Sequence, residues 1–592
     1  MGRDVEPDLD PGAIRSFTKA ILRDLQALER MLEGGMIESE VRRFGAEQEM
    51  FLVNRGWRPA PVSVEVLERL GGEPYTTELA RFNLEMNLEP LEVEGICFRT
   101  LEEGIRERLA RVREAARAEG ADVCLAGILP TLTKSDLSIE NITPRARYHA
   151  LNEALTRMRG GSYRLRIEGT DELHIEHDSV MLESCNTSCQ VHLQVSAEEF
   201  PRFYNVAQVV TAPVLAAAVN SPLLFGRRLW AETRIALFQQ SIDTRSAMLH
   251  LRELSPRVRF GDQWVRSSVT ELFQEDIARF RVIMSSPVEE DPIEALRHGH
   301  VPRLAALQLH NSTVYRWNRP CYGISDGRPH LRIECRVLPA GPTVVDEVAN
   351  AAFWIGLVLG AVEEYGDVTR ILDFDDAKGN FLAAAKLGLK AALQWVDGEP
   401  VSAPKLILET LLPLARHGLE SCAVDDDDIT KYLDIVRERV ETGATGSQWA
   451  LRSLAKMKDH GTRAERLAAV TAGMVRRQGE GVPVHLWEPA DLHEAGGWKQ
   501  NFVRVEQYMT TSLFTVNEDE LVDLVAFLMD RKQIRHVLVE DDEHHLVGLV
   551  SYRSILRLVA EGEDRTGAEE RPVKTIMERD PVTVAPETPT LE

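Results

Sequence analysis

The chain has 592 residues, of which 44% are hydrophobic and 27% charged, and a formal net charge of −24. That length exceeds one ordinary domain, so two or more are expected, with the composition of a globular protein. The acidic balance speaks against a general nucleic-acid binder, which would present a basic face.

Met1 to Gly12 is acidic, contains Pro and Gly, and has no apolar signal core. Residues 14–34 carry helical periodicity (Ile14, Phe17, Ile21, Leu22, Leu25, Leu28, Leu32) and end at Gly34-Gly35, making 1–37 an N-terminal helical segment. Strands are expected at 44–53 and 82–90, with a helix at 61–70 between them and a charged amphipathic helix at 101–119. Strand-like stretches recur at 122–128, 163–168, 173–176 and 190–195. Helices are expected at 198–219 and 229–239, separated by Asn220-Ser221-Pro222, then a strand at 330–337. Helices dominate from 343 to about 475. Strands and helices mix without regular alternation, which predicts an α+β unit over 38–475 with a largely antiparallel sheet.

Residues 476–500 read as a linker. Beyond them, 501–592 predicts a small α/β domain: Met509 to Val516, a helix at 518–530, the strand His536 to Glu540, a turn at 541–543, Leu546 to Ser551, and a helix near 552–561. Ile576 to Val584 restates the 508–516 segment, an internal repeat whose second copy has only begun.

Four of the strands share one property. In a strand, residues two apart point the same way. Leu84, Met86 and Leu88 therefore face a core while Asn83, Glu85, Asn87 and Glu89 face away. Glu47 goes with Glu49, His192 with Gln194, and Arg332 with Glu334 and Arg336. Solvent alone explains any one such face. As neighbours, carboxylates about 5–7 Å apart would repel by roughly 2–3 kcal/mol per pair, and such a sheet calls for cations. Oxygen donors with an occasional imidazole suit Mg²⁺ or Mn²⁺ holding nucleotide phosphates. Arginines on the same face suit phosphate or a substrate carboxylate.

Seven thinly spread cysteines fit free thiols in a reducing cytosol, so a cytoplasmic protein is expected. The apolar stretches 206–219 and 349–362 are short for a membrane span and read as buried helices, so no membrane partner is expected. Cys185, Cys189 and His192 have zinc-like spacing, but no fourth ligand follows, and structural thiols are expected. His174, Glu176 and Asp178 share a strand face, followed by Glu183, and read as the polar face of a hairpin or lid. Phosphate-loop, nucleophile-elbow, His-Glu-x-x-His and Cys-x-x-Cys signatures are absent. The run Asp425 to Asp428 most simply starts a helix.

Residues of about 38–460 resemble glutamate–cysteine ligase family 2, the carboxylate–amine ligases. The motifs are Gly45-Ala46-Glu47-Gln48-Glu49, the Leu84-Glu85 strand ending in Glu89-Pro90, Arg147-Tyr148, Gln190 to Gln194, and Asn220-Ser221-Pro222 with Trp230 and Thr233-Arg234. They continue with His310 to Thr313 and Arg332 to Arg336. Residues of about 501–592 resemble a CBS domain, through Met509-Thr510, Arg535 to Glu540 and Gly548 to Ser551.

The first resemblance implies a sheet like that of glutamine synthetase, bound ATP and Mg²⁺ (or Mn²⁺), and amide formation through an acyl-phosphate. It implies metal ligation by Glu47, Glu49, Glu85, His192 and Glu334, with Glu89 a strand-end alternative and a core histidine the alternative for His192. Arg332 and Arg336 are expected on phosphate beside Glu334, with Gln194 on the nucleotide. Arg147 and Arg234 are expected on an amino-acid carboxylate, with a helix-surface ion pair as the alternative for Arg234. Asn311 and Thr313 are expected on substrate or nucleotide, with turn formation as the alternative.

The second resemblance implies adenine-nucleotide binding, regulation or homo-oligomer assembly. Ser554 stands where that family often places a ribose-binding acid. The second repeat stops after about one strand, so the half-module is expected to be continued in a longer chain or to pair with another subunit. The function read from all this is ligation of an amino-acid carboxylate, the glutamate γ-carboxylate foremost, to an amine such as cysteine. The alternatives are a non-catalytic nucleotide sensor, a ligase with another amine, and a guanidino-phosphotransferase.

Overall fold

The alternation that begins at residue 44 becomes β1 (Arg43–Asn54), the central support of the main sheet. The computed structural model describes residues 11–160, 162–243, 245, 255–396, 398–496, 505, 509–510, 513–560, 571–585 and 588–590. The chain divides into two compact units, Met1–Gly496 and Gly497–Glu592. In the first, β2 (Tyr75–Thr77), β3 (Asn83–Asn87), β4 (Leu91–Glu92) and β5 (Ala121–Cys124) follow β1. A separate hairpin of β6 (Tyr163–Glu168) and β7 (Glu172–His177) precedes β8 (Cys189–Val195). Two short ladders, β9 (Leu223–Leu224) with β10 (Arg227–Arg228) and β11 (Val258–Arg259) with β12 (Tyr315–Arg316), lead to β13 (Asn318–Ser325) and β14 (Arg328–Cys335).

The main sheet runs β13–β14–β8–β1–β3–β2, with β4 and β5 paired to opposite ends of β1. Every pairing in it is antiparallel, as the α+β reading expects. The four polar-faced strands are thus consecutive: β14, β8, β1, β3. Phe44, Met50, Leu84, Met86, Leu331 and Ile333 turn to the other side and bury in one continuous core. The helices Cys97–Ala118, Phe200–Ala218 and Val344–Tyr365 share that core.

Val344–Tyr365 is the one helix among the described residues long and apolar enough to cross a membrane, and its apolar window is wholly buried inside the protein. Thr343 caps it by accepting from the Asp346 N–H. Buried Asp346 is answered by buried Arg439 at 2.8 Å, as a charge away from water requires. A small hairpin, β15 (Ala392–Gln394) and β16 (Pro400–Ser402), interrupts the helices that follow.

Residues 476–500 depart from the linker reading. The helix Arg463–Glu480 runs through 476, and Val484, Trp487, Ala490 and Ala495 then bury in the main core. Gly and Pro here turn a chain that is still packing apolar side chains. Residues 497–500 lie outside the described residues, as do residues 1–10 of the opening segment and Thr511 and Ser512 of the repeat.

The second unit has a four-stranded sheet, β17 (Thr515–Asn517), β18 (His536–Glu540), β19 (Leu546–Ser551) and β20 (Glu578–Arg579), with β17 parallel to β18. Val516, Val525, Met529, Val537, Val539, Val550, Val573 and Met577 form its core. The start of the second repeat therefore folds back on the first: Met577 buries in that core and β20 pairs with β19.

Candidate active site

Antiparallel register puts Glu49 of β1 opposite Glu85 of β3. Glu78, from the segment after β2, joins them, and one oxygen of each lies within 4.8 Å of the others. Glu49 is fixed by the Ser188 N–H and the Gln190 amide, both at 2.7 Å, and Glu85 accepts from Asn87 at 3.1 Å. Burial, and then Glu49 and Glu183 nearby, push the Glu78 carboxyl up to about 8. Burial and three neighbouring acids push Glu85 well above the ordinary carboxylate range. Burial raises Glu49 as well, although Arg336 pulls against it. Three acids that cannot all ionise together are a site short of positive charge.

A second cluster lies across β1, β8 and β14. Glu334 is the register partner of His192, which is itself opposite Gly45 and so one pleat from Glu47. His192 Nε2 is 3.2 Å from Glu47 Oε1, within ion-pair range but not aligned as a hydrogen bond. Neither ring nitrogen of this buried histidine has a hydrogen-bond partner. Glu334 is fully buried and takes two hydrogen bonds from Arg319, at 2.9 and 2.7 Å, on Oε2. Arg336 donates to its other oxygen and, at 2.6 Å, to Gln190. Burial works to raise Glu334, but Arg319 and Arg336 outweigh it and hold the carboxyl well below its ordinary range. Burial likewise opposes ionisation of Glu47, and His192 reverses it to a lowered value.

Arg332 lies two residues from Glu334 on the same face, opposite Gln194. Its guanidinium meets His330 at 2.5 Å, and among the described residues no carboxylate pairs with it. Gln194 donates to Glu38 at 2.9 Å, and Arg43 meets the same Glu38 oxygen at 2.7 Å. Arg147 stacks 4.4 Å over the Tyr148 ring and donates to its hydroxyl at 2.5 Å, and that hydroxyl donates to the Thr77 carbonyl. Burial works to lower the Arg147 pKa, but Tyr148 first, and then Glu78 and Glu85, raise it.

Arg234, Asn311, Thr313 and Glu89 lie outside both clusters. Arg234 is 3% exposed; it donates to the carbonyls of Arg336 and Val337 and meets Glu232 at 3.3 Å. Glu232 in turn accepts from the Asn220 N–H and the Ser221 hydroxyl. Arg234 is therefore neither a surface ion pair nor open to a substrate carboxylate; it anchors the chain leaving β14. Asn311 donates to the Pro320 carbonyl at 2.8 Å, and the Thr313 hydroxyl to His310 at 2.8 Å, both buried. These bonds shape the turn that delivers β13. Glu89 is 80% exposed and outside both clusters. His174, Glu176 and Asp178 lie on the exposed side of the β6–β7 hairpin, and Cys185 and Cys189 are buried thiols outside both clusters.

Four residues of the site went unassigned in the sequence. Glu78 is a single acid in an irregular segment and gives no signal. Arg319 and Cys321 belong to β13, whose alternation is obscured by Pro320 and Gly323. Cys321 Sγ is 3.0 Å from Glu334 Oε2. Glu183, read only as part of a polar face, is pushed up to about 7 by burial and the nearby Glu49.

Residues 43–473 match glutamate–cysteine ligase family 2, and residues 505–561 match the CBS domain. No curated protein matches the chain. Among solved structures, the glutamate–cysteine ligase of Francisella tularensis in complex with AMP is similar at 14% identity, over 78% of this chain and 97% of that one, with a TM-score of 0.46. A bifunctional glutathione synthetase from Pasteurella multocida is similar at 12% identity, over 77% of this chain and 54% of that one, with a TM-score of 0.40. A CBS domain protein from Thermoplasma acidophilum is similar at 27% identity, over 15% of this chain and 48% of that one, with a TM-score of 0.14.

Proposed function

The chain belongs to glutamate–cysteine ligase family 2 and is a carboxylate–amine ligase, and from that premise we propose that it uses ATP and Mg²⁺ or Mn²⁺ to join the γ-carboxylate of glutamate to an amine such as cysteine. The observation that carries this reading is the pair of donor clusters, Glu49–Glu78–Glu85 and Glu47–His192–Glu334, built on adjacent strands with Glu78 added from the segment after β2. The donors fit hard cations. The first set is all carboxylate, with Glu78 and Glu85 raised by crowding, and the second holds an imidazole without a hydrogen-bond partner. Bound there, cations would hold the β- and γ-phosphates and neutralise charge developing on them.

Each remaining role falls to a side chain whose neighbours fix it. Arg336, held by Glu334 and Gln190, and Arg332, which lacks a carboxylate partner among the described residues, flank Glu334 and suit the phosphates. Gln194 orients nucleotide or substrate from the same face. Arg147, preset by Tyr148 beside the first cluster, suits the substrate carboxylate. Amide formation releases a proton from the attacking amine. Glu183, with a carboxyl near neutrality and next to Glu49, suits its capture.

The CBS domain serves in this reading as a regulatory or assembly module for adenine nucleotide. The Ser551 and Ser554 hydroxyls lie 3.1 Å apart at the start of the helix Tyr552–Ala560. The test of the proposal is ADP release from Mg-ATP and glutamate, with and without cysteine. Release that depends on both carboxylate and amine supports a ligase, and ATP binding without turnover on any amine contradicts it.

A further inference from the structure

We propose that His192, Cys321 and Glu334 form a binding site for a borderline-soft divalent cation, zinc foremost, that competes with the hard cation at the second cluster. The inference rests on the reading above that His192 and Glu334 hold a cation. It adds a sulfur ligand that a Mg²⁺ site does not use and a ligand class that the ligase reading does not require.

Three donors of different softness converge here. One ligand atom from each of His192, Cys321 and Glu334 lies within 4.8 Å of the others, and all three residues are buried. The thiol is 3.0 Å from Glu334 Oε2. Zinc bonds of about 2.0–2.3 Å place tetrahedral ligand atoms roughly 3.3–3.8 Å apart, inside the span of this cluster. The independent sign of a missing ligand is His192. It is 6% exposed and neither ring nitrogen has a hydrogen-bond partner, an expensive state for a buried imidazole unless something binds it. Glu47, 3.2 Å from the imidazole, supplies a fourth donor.

A nitrogen, a sulfur and carboxylate oxygens form a zinc set, whereas Mg²⁺ prefers oxygen and retains water. Arg319 and Arg336 hold Glu334 in place, and loss of the Cys321 S–H on metal binding frees its contact on Oε2. Zinc binding breaks the Cys321 S–H bond and forms a Zn–S bond, with one proton released to the buffer. The hard cation leaves that thiol protonated and uses only the oxygen and nitrogen donors. The same centre then has two states, set by which cation is present.

The full-length protein is titrated with Co²⁺ alone, as the spectroscopic substitute for zinc, and then with Zn²⁺. The expected result is a thiolate-to-cobalt charge-transfer band in the near ultraviolet that Zn²⁺ abolishes. Cys321→Ser should lose that band and weaken zinc binding by at least about tenfold, the lower end of what loss of even an outer partner costs. Cys189→Ser should keep both. Absence of the band in the wild type, or its persistence in Cys321→Ser, overturns the proposal. Should Cys321→Ser not fold, zinc-edge X-ray absorption of the wild type decides. A sulfur neighbour supports the site, and nitrogen and oxygen alone refute it. Mn²⁺ resonance and ADP release separate the two readings. Mn²⁺-dependent turnover without the cobalt–sulfur band refutes only the zinc site, and the band without turnover refutes only the ligase.

Discussion

Glu334 of β14 lies directly across the ladder from His192 of β8, with Arg319 and Arg336 each holding one of its oxygens. This pairing joins an anion kept ionised by two guanidiniums to an imidazole left without a hydrogen bond. Replacing Glu334 with Gln keeps the shape, removes the charge and leaves two arginines facing each other. Glu334→Gln should keep the native circular dichroism spectrum and lower ADP formation on the order of 100-fold or more. A folded variant with wild-type turnover would remove Glu334 from the site.

The first cluster predicts how stability responds to pH and metal. Burial holds Glu78 at about 8 and Glu183 at about 7, above the ordinary carboxylate range. Between those limits the folded state retains protons that the unfolded state has released, so stability falls as pH rises from about 5 to 8. A divalent cation bound as proposed would ionise these groups and release protons on binding. Metal-free protein should melt at lower temperature at pH 8 than at pH 6, and Mn²⁺ should restore more at the higher pH. Equal melting temperatures with chelator at both pH values would contradict the crowding.

The proposed role of Glu183 as acceptor of the attacking amine's proton predicts a pH profile. A base must be ionised to act, so kcat/KM should fall on the acid side with a limb at or below about 7. Glu183→Gln should abolish that limb and reduce kcat by roughly 10²–10⁴-fold. A pH–rate profile of both proteins decides, and an unchanged acid limb in the variant assigns the proton elsewhere.

Arg234 tests the distinction between binding and positioning. Its donors go to two backbone carbonyls and buried Glu232. Arg234→Met leaves buried Glu232 without its counter-charge and should cost about 3–5 kcal/mol of stability. Adding Glu232→Gln should recover part of that, a coupling readable in urea denaturation. A loss confined to the KM for glutamate, with stability unchanged, would restore Arg234 to the substrate.

Much of the site was legible because strand period decides which residues share a face. Glu47 with Glu49, and Arg332 with Glu334 and Arg336, follow from alternation alone. Antiparallel register then produced the Glu49–Glu85 and His192–Glu334 pairings, which alternation cannot supply. Glu78 was invisible because an acid in an irregular segment carries no period. Arg319 and Cys321 were hidden by Pro320 and Gly323 within β13. Arg234, Asn311 and Thr313 have the right chemistry for ligands, but their donors are already taken by backbone carbonyls, and residue type does not reveal prior engagement. The 476–496 segment was misread for a related reason: its Gly and Pro residues mark turns in a chain whose Trp487 and Val484 still belong to the core.

The most direct measurement supplies glutamate carrying heavy oxygen in its γ-carboxylate, with Mg-ATP and cysteine, and follows the label by mass spectrometry. An acyl-phosphate route predicts ADP, γ-glutamylcysteine and one labelled oxygen in the released phosphate. Unlabelled phosphate, or AMP in place of ADP, would contradict it.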